Sequence, residues 1–227
     1  LDQKKKFSIS LMSYPILYSF KRCPYAMRAR MALQLAEIKC EIREIRLSNK
    51  PEHMLEISPK GTVPILILED KIIDESYDIV NWVIEESNIF NGNLESDQID
   101  LTESLIKKFD DEFKHHLDRY KYATRYENTD SEFHRTECQK IIIDLEKIIC
   151  ADSWSFGEEL NKLDICILPF IRQYRIANPN WFDSQSEIEK VQRLLNHFLN
   201  SELFKSIMFK YDEWNDGNQP VYFPNLL

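Results

Sequence analysis

The stretch ILYSFKRCPYA, residues 16–26, decides how this chain begins to fold. Its first five residues form a mainly apolar run between Pro15 and the basic pair Lys21-Arg22, a pattern typical of a short buried strand. Pro24 suits the first position of a helix, because its missing N–H is not needed there. Helical spacing of apolar residues follows, and residues 40–47 then alternate polar and apolar side chains. We therefore predict a β-α-β unit with a right-handed crossover.

A second group of short elements follows this unit. The sequence predicts a strand over residues 63–68, a turn at Glu69-Asp70, a strand over 71–74 and a helix over 76–86. A proline inside a strand removes a ladder hydrogen bond, so Pro64 indicates an edge, a bend or a cis peptide. The predicted β-α-β and β-β-α halves together suggest the thioredoxin fold.

The strongest turn signal in the chain is Asn91-Gly92-Asn93, within the polar segment 88–96. We place a domain boundary there, between a domain of residues 14–88 and an all-helical domain of residues 97–227. Inside the latter, Asn161 with Asp164 predicts a capping box, and Ser184 with Glu187 predicts the start of a further helix. Residues 1–13 carry a lysine cluster and no periodicity, so we expect a disordered or extra leader. The fold class is thus α/β followed by all-α.

Composition excludes several function classes. The formal net charge is -9 and basic residues are interspersed with acidic ones, which argues against nucleic-acid or anionic-membrane partners. No stretch approaches the roughly 20 apolar residues of a membrane span, and the start does not resemble a signal peptide. We therefore expect a cytoplasmic protein. The five scattered cysteines give neither a disulfide framework nor a zinc pattern, so we expect reduced thiols and no metal site.

Cys23 is the candidate nucleophile. A helix N-terminus, with the cations Lys21, Arg22 and Arg28 nearby, predicts an exposed thiolate with a depressed pKa. The alternative is a small buried hydrophobic residue. Ala26 stands where a CxxC motif would have its second cysteine, so a mixed disulfide on Cys23 needs an external thiol for its resolution.

Four short motifs carry a family resemblance over residues 14–87. They resemble the glutathione-binding half of cysteine-type glutathione transferases, most nearly the omega class and its bacterial relatives, and read CPYA (23–26), NKP (49–51), GTVP (61–64) and DES (74–76). The capping segment at residues 161–164 matches the helical domain of the superfamily more loosely.

The resemblance implies glutathione as co-substrate and a set of residues to hold it. Val63, beside a cis Pro64, would present its backbone to the cysteinyl part of glutathione. Glu75 and Ser76 would hold the γ-glutamyl end, and Lys50 would face the glycyl carboxylate, with Lys60 as a lower-ranked alternative to Lys50. Capping or loop roles are the alternatives for these residues.

A second substrate, a small electrophile or disulfide, would lie between the domains. The candidate lining residues share an aromatic or imidazole ring and are Tyr25, Phe109, Phe113, His116 and Tyr120. An aromatic stripe at helical spacing is more often core than pocket, so core packing stays the alternative. Neighbouring His115 and His116 cannot share a helix face, and no carboxylate or cysteine completes a set of metal ligands, so we expect no metal there. The run 110–112, Asp-Asp-Glu, is interpreted as a solvated acidic face.

The predicted function is that of a glutathione-dependent thiol transferase or reductase, acting in deglutathionylation or dehydroascorbate-type reduction. Two alternatives stay open: a non-enzymatic regulatory or adaptor protein on the same fold, and a conjugating glutathione transferase. The resemblance also implies a homodimer.

Overall fold

The computed structural model describes residues 14–150 and 153–224. The predicted leader, residues 1–13, lies outside the described residues. Within them, five strands form one mixed sheet in the order β4-β3-β1-β2-β5. The strands are β1 (Ile16–Ser19), β2 (Cys40–Glu44), β3 (Ile65–Ile67), β4 (Ile72–Ile73) and β5 (Tyr222–Phe223). Only β1 and β2 are parallel; β3 pairs with β1, β4 with β3 and β5 with β2 in antiparallel fashion.

The opening β-α-β unit is confirmed. Helix α1 (Pro24–Leu35) has its proline at the first position and buries eight of its residues, mostly small or unbranched. It ends where Glu37 takes a left-handed conformation (φ 54°) and the Ile38 N–H reaches back 3.0 Å to the Leu33 carbonyl. Such a reversal satisfies a carbonyl that the helix itself leaves free. It returns the chain directly into β2.

The following segment holds an element that the sequence did not reveal. Helix α2 (Glu52–Ile57) lies between the predicted strands of residues 40–47 and 63–68, where no element was predicted. With six residues and one buried side chain, Met54, it is too short to show a 3.6-residue period. Strands β3 and β4 are shorter than predicted, and helix α3 (Ser76–Ser87) begins at the predicted residue.

Most of the remaining chain is helical. The elements are α4 (Ser96–Lys108), a π-helical turn (Phe109–Phe113), α5 (Lys114–Lys121), a 3-10 turn (Ala123–Arg125), α6 (Ser131–Ile148), α7 (Lys162–Ala177), α8 (Pro179–Asp183), a 3-10 turn (Ser186–Ile188), α9 (Glu189–Asn200) and α10 (Glu202–Ile207). No helix of the described ranges combines the length and the apolar character that crossing a bilayer needs.

One predicted helix start is confirmed and one is wrong. At α7, Asn161 Oδ1 accepts from the Leu163 N–H at 2.9 Å, and Asp164 Oδ2 accepts from the Asn161 N–H at 3.1 Å, which is the predicted capping box. Ser184 does not cap α9. That helix begins only at Glu189, after the 3-10 turn, because Ser184 instead closes the end of α8.

The segment 97–227 is not wholly helical, contrary to expectation. After α10 the chain returns to the first sheet, where β5 pairs with β2 through Cys40 opposite Phe223. The Trp214 N–H also donates to the Glu44 carbonyl at 2.7 Å. A strand of two residues cannot show the alternation by which strands are recognised, so its existence depends on the exposed edge of β2.

The core is shared by both parts of the chain. One continuous cluster joins Leu17 and Ile42 of the sheet through Met31 of α1 to Phe170 of α7 and Leu195 of α9. Tyr18, on the opposite face of β1, belongs to a separate small cluster with Ile45, Met54, Val63 and Ile65. The domain boundary in residues 88–96 stays a prediction, because this core crosses from one side of it to the other.

Candidate active site

Cys23 lies at the N-cap of α1, directly after the turn that ends β1. Its N–H donates to the Phe20 carbonyl at 2.9 Å, and its thiol donates to the Val63 carbonyl at 3.6 Å. The side chain is half-buried rather than exposed. The sulfur therefore lies at the helix N-terminus, as predicted, but against the strand-proline segment and not in open solvent.

The pKa of Cys23 differs from the prediction in its direction. Burial raises the pKa above its ordinary value, and this outweighs the backbone amides of Ala26 and Tyr25 and the cations Arg30 and Lys114, which act to lower it. The expected depressed pKa is therefore wrong for the ligand-free protein, since desolvation exceeds the helix-terminus effect. The cations that act on Cys23 also differ from those proposed: Arg30 lies about two turns further along α1, and Lys114 lies at the start of α5.

The other cysteines are free thiols as expected, and three of them are buried. Burial raises the pKa of Cys166 to about 11 and those of Cys40 and Cys138 further still. Cys150 is half-buried and lies just after α6, where its thiol donates to the Trp154 carbonyl at 3.3 Å. None of these four thiols lies at the start of a helix, so Cys23 alone has amide dipoles directed at its sulfur.

The Val63–Pro64 peptide is cis, as the sequence suggested. Val63 is buried, and its backbone lies outside β3, so it has no ladder partner. Among the described residues its N–H has no hydrogen-bond acceptor, whereas its carbonyl faces Cys23. An extended peptide beside Cys23 would find both groups in position for a strand-like pairing.

Lys50 and Lys60 differ sharply in their surroundings. Lys60 Nζ lies 3.1 Å from Asp74 Oδ1 and 2.6 Å from Glu75 Oε1. Lys50 is exposed in the loop before α2, and its ammonium lies close to Gly61, whose φ of +59° suits a residue without a side chain. Among the described residues no carboxylate lies within ion-pair distance of Lys50. This difference favours Lys50 over Lys60 as a partner for a ligand carboxylate.

Ser76 opens α3 and is buried beside Arg28. Its Oγ accepts from Arg28 Nη1 at 3.5 Å, and Glu75 occupies the N-cap without a side-chain cap bond. The first amides of α3 are therefore available to an anion at this helix start. Glu75 itself is largely exposed and is paired with Lys60.

Arg28 is the most important residue whose role the sequence did not reveal. Its guanidinium is fully buried; Nε donates to the Cys166 carbonyl at 2.7 Å, and Nη1 donates to Asp110 Oδ2 at 3.0 Å. Nη2 lies 2.8 Å from Asp110 Oδ1 but is not aligned for a hydrogen bond. Asp110 is thus an ion-pair partner and not part of a solvated acidic face. The pair links α1 to the π-helical turn and sets one wall beside Ser76.

Of the five residues predicted to line a second-substrate pocket, two are core residues. Phe109 and Phe113 are both fully buried, their ring centroids 4.5 Å apart, so neither can contact a substrate in this conformation. Tyr25 is half-buried, 5.0 Å from the Phe170 ring and 5.6 Å from Lys114 Nζ, next to Cys23. His116 and Tyr120 are half-buried on α5. Whether these three contact a substrate stays a prediction.

A third histidine, which the sequence-based prediction did not include, lies beside the pair His115 and His116, and the expected absence of a metal there stays a prediction. His134 of α6 lies against the pair, with ring nitrogens of His115, His116 and His134 all within 4.8 Å of one another. No local sequence pattern indicates this contact, because His134 is 18 residues beyond His116.

A cavity of about 640 Å³ lies on another side of the Lys50 loop. It is lined by His53 and Arg43 and by Trp214 of the C-terminal extension, and Cys23 is not among its lining residues. Tyr18 Oη connects two of these groups, at 2.9 Å from His53 Nδ1 and 2.8 Å from Arg43 Nη1. This cavity is separate from the thiol site.

Comparison with known proteins agrees with this architecture. Residues 17–90 match the family model described as glutathione S-transferase, N-terminal domain. A rice protein named probable glutathione S-transferase DHAR2, chloroplastic, is 36% identical over 64 residues, 28% of this chain; the match spans only 23% of that protein's length. The probable glutathione S-transferase MSR-1 of Nicotiana plumbaginifolia is 27% identical over 199 residues, covering 85% of this chain and 88% of its own.

Solved structures show the same fold over most of the chain. A glutathione transferase family member from Pseudomonas fluorescens, crystallised with two glutathione bound, superposes with a TM-score of 0.74 at 17% identity, covering 89% of this chain and 96% of its own. Fold, site and comparisons together define a protein with a thioredoxin-like first half and a helical second half. Residues 17–90 therefore match a glutathione S-transferase N-terminal domain, and the chain has the fold of the solved glutathione transferases.

Proposed function

We propose that this protein is a glutathione-dependent thiol transferase or reductase that works through a mixed disulfide on Cys23. The observation that carries the proposal is the position of this one sulfur: at the N-cap of α1, 3.6 Å from the Val63 carbonyl, with Ala26 where a second cysteine would stand. Such a site can form a disulfide with a substrate or with glutathione but cannot close one within its own motif.

The proposed reaction has two exchanges. The Cys23 thiolate attacks the glutathione sulfur of a protein or small-molecule mixed disulfide; a Cys23–glutathione disulfide forms and the substrate leaves as a thiolate. A glutathione thiolate then attacks this disulfide, which releases oxidised glutathione and restores Cys23. The net reaction consumes one free glutathione: its sulfur and the glutathione sulfur from the substrate form oxidised glutathione, and the substrate is left as a thiol. A dehydroascorbate-type substrate would instead consume two free glutathione molecules, which together supply two electrons and two protons.

The residues around Cys23 support glutathione as the partner. The unpaired N–H and the carbonyl of Val63 would bind the cysteinyl backbone of the tripeptide. The first amides of α3 and the Ser76 hydroxyl would bind the γ-glutamyl carboxylate, and Lys50 would bind the glycyl carboxylate. Glu75 would bind the ammonium after exchanging its exposed contact with Lys60.

The raised pKa of Cys23 fixes how the first exchange starts. In the ligand-free protein the sulfur is held as a thiol that donates to Val63, so it must lose its proton before attack. The thiolate is then stabilised by the amides of Ala26 and Tyr25 and by the charges of Arg30 and Lys114. Turnover should therefore rise with pH through the neutral range.

Intact mass spectrometry after exposure to oxidised glutathione tests the proposal. We expect the wild type to gain one glutathione, Cys23→Ala to gain none, and the matched control Cys150→Ala, which removes the other half-buried thiol, to behave as the wild type. Reductase activity with a glutathionylated peptide should be lost only in Cys23→Ala. Addition of glutathione at Cys150 and not at Cys23 would contradict the proposal.

Two other functions give distinct results in the same assays. An adaptor protein with a vestigial cleft would give no heat with millimolar glutathione in calorimetry. A conjugating transferase would act on chlorinated aromatic substrates and retain this activity in Cys23→Ala. The proposal includes a cytoplasmic location and a homodimer, for which fractionation of native cells and sedimentation of the purified chain are the direct tests.

A further inference from the structure

Three of the five histidines of this chain meet between α5 and α6. His115 and His116 lie in the first turn of α5, and His134 lies in the first turn of α6. His116 Nδ1 is 2.7 Å from His134 Nδ1, and one ring nitrogen of each histidine lies within 4.8 Å of the others. The ring centroids are 4.9 to 5.9 Å apart. Imidazole groups are thus gathered here more closely than packing alone requires.

Local structure explains how neighbouring residues of one helix reach a common point. Side chains at successive positions of a helix project about 100° apart. His134, on the facing helix α6, lies between the directions in which His115 and His116 project. Asp130 fixes the start of α6, since its carboxylate accepts the N–H groups of Glu132 at 2.9 Å and Phe133 at 3.1 Å. The N–H of His134 then donates to the Asp130 carbonyl at 3.2 Å, which places His134 one turn into α6.

We propose that His115, His116 and His134 form a binding site for a divalent transition metal of the zinc, cobalt or copper class. Neutral imidazole is a good ligand for these ions, and three histidines leave one coordination position for water. With metal–nitrogen bonds of about 2.0–2.1 Å, tetrahedral ligands are about 3.3 Å apart. The observed nitrogens lie within 4.8 Å of one another, so the largest approach needed to reach that spacing is about 1.5 Å.

The proton arrangement is compatible with metal binding. The contact between the two Nδ1 atoms requires one ring to donate and the other to accept, so one neutral ring already has Nδ1 free. The second ring coordinates after its proton moves to Nε2, which faces away from the contact. Two neutral rings can therefore bind the ion without a net loss of protons. His115 Nδ1 accepts from Arg119 Nη1 at 3.0 Å, so the neutral ring carries its proton on Nε2. His115 binds the ion through Nδ1 after releasing Arg119, or through Nε2 after its proton moves to Nδ1.

The charges around the three histidines are of both signs. Glu112, Glu137 and Asp130 act on the histidine rings with negative charge, whereas Arg119 contributes positive charge. Glu137 is partly compensated by Lys140, at 2.6 Å. His115 is exposed and the other two rings are half-buried, so an ion can enter from solvent. Bound metal would link α5 to α6 across the connection of residues 122–130.

Cobalt titration of the full, metal-free chain tests this site. We expect one Co²⁺ per chain, with visible d–d bands typical of nitrogen and oxygen ligands and no sulfur-to-metal charge-transfer band. His134→Gln and His116→Gln should each weaken Co²⁺ binding by on the order of 100-fold. Removal of a group that hydrogen-bonds to a metal ligand already lowers affinity by about 10- to 100-fold, and removal of the ligand itself should lower it at least as much. Zn²⁺ should displace Co²⁺ and raise the melting temperature of the wild type.

His197→Gln is the matched control, since His197 is exposed on α9 and lies outside the cluster, beside Trp154. It should bind Co²⁺ as the wild type does. The far-ultraviolet circular dichroism and metal-free melting temperature of each variant establish that it is folded. The proposal is overturned if the wild type does not bind Co²⁺, if both cluster variants bind it normally, or if a thiolate charge-transfer band shows that cysteines hold the ion.

Discussion

Replacing Asp110 should destabilise this protein far more than replacing its neighbour Asp111. The Arg28 guanidinium is fully buried and has Asp110 as its only carboxylate partner in the described part of the chain. Asp111 is exposed and pairs with Lys107 one helical turn away, at 2.5 Å. Both aspartates lie in the same π-helical turn, so an alanine at either position changes the local helix in a similar way.

The expected magnitude follows from what Arg28 loses in Asp110→Ala. Removing one member of a buried ion pair costs about 3–5 kcal/mol, because it leaves an uncompensated charge. Arg28 keeps the Cys166 carbonyl at 2.7 Å and the face of Phe170 at 4.5 Å, and the Asp110 side chain is 27% exposed. We therefore expect about 2–4 kcal/mol for Asp110→Ala. An exposed i,i+4 pair contributes about 0.3–0.5 kcal/mol, which is the expected loss for Asp111→Ala.

Urea unfolding at neutral pH, followed by tryptophan fluorescence, measures both free energies of unfolding. For a chain of this size, about 2–4 kcal/mol corresponds to a fall in melting temperature of roughly 5–15 °C. Because Arg28 also contacts Ser76, Asp110→Ala should raise the KM for glutathione as well. The reasoning is refuted if the two alanine variants differ by less than about 0.5 kcal/mol.

Three further predictions concern pH and charge. Burial raises the pKa of Cys23, so the rate at which iodoacetamide alkylates Cys23 should still rise with pH above about 9.5, where the thiolate fraction of a free cysteine with a pKa of about 8.5 levels off. Peptide mass spectrometry follows the alkylation, and a plateau below neutral pH would contradict this prediction. Burial also raises the pKa of Asp164 from 3.8 to about 7. Between pH 4 and pH 7 the folded state therefore holds a proton that the unfolded state has lost. The free energy of unfolding should fall over this range by up to about 4 kcal/mol as the pH rises. In Asp164→Asn the free energy of unfolding, measured with urea at pH 5 and pH 8, should differ less between the two pH values than in the wild type. An unchanged difference would show that Asp164 ionises freely. Lys50→Gln should raise the KM for glutathione about tenfold and Lys60→Gln less than twofold, because Lys60 is already paired with two carboxylates; equal effects would count against the assigned role of Lys50.

Much of the fold could be predicted from local patterns in the sequence. The start of α1 at Pro24, the capping box of Asn161 with Asp164 and the start of α3 at Ser76 all depend on residues within four positions of one another. Such signals act before tertiary contacts form, so they can be predicted from the chain. The short elements α2 and β5 could not, because two to six residues do not establish a period.

The position of Cys23 shows where prediction from local sequence ends. The helix terminus was visible in the sequence, which correctly placed Cys23 at the start of α1. The degree of burial was not visible, because it depends on Val63, forty residues away, and on neighbouring elements. Desolvation is set by everything around the atom, so the tertiary structure reversed the direction of the pKa shift.

The sequence by itself determined the order of the first elements, the position of Cys23 at the start of a helix and the match of residues 17–90 to a glutathione S-transferase N-terminal domain. Only the tertiary structure decided which charges meet. Arg28 pairs with Asp110, 82 positions away, and His116 contacts His134, 18 positions away. Asp111, the neighbour of Asp110 and of the same residue type, is exposed to solvent. Secondary structure follows from forces between near neighbours, whereas ion pairs and ligand clusters depend on the packing of helices whose contacts no local pattern encodes.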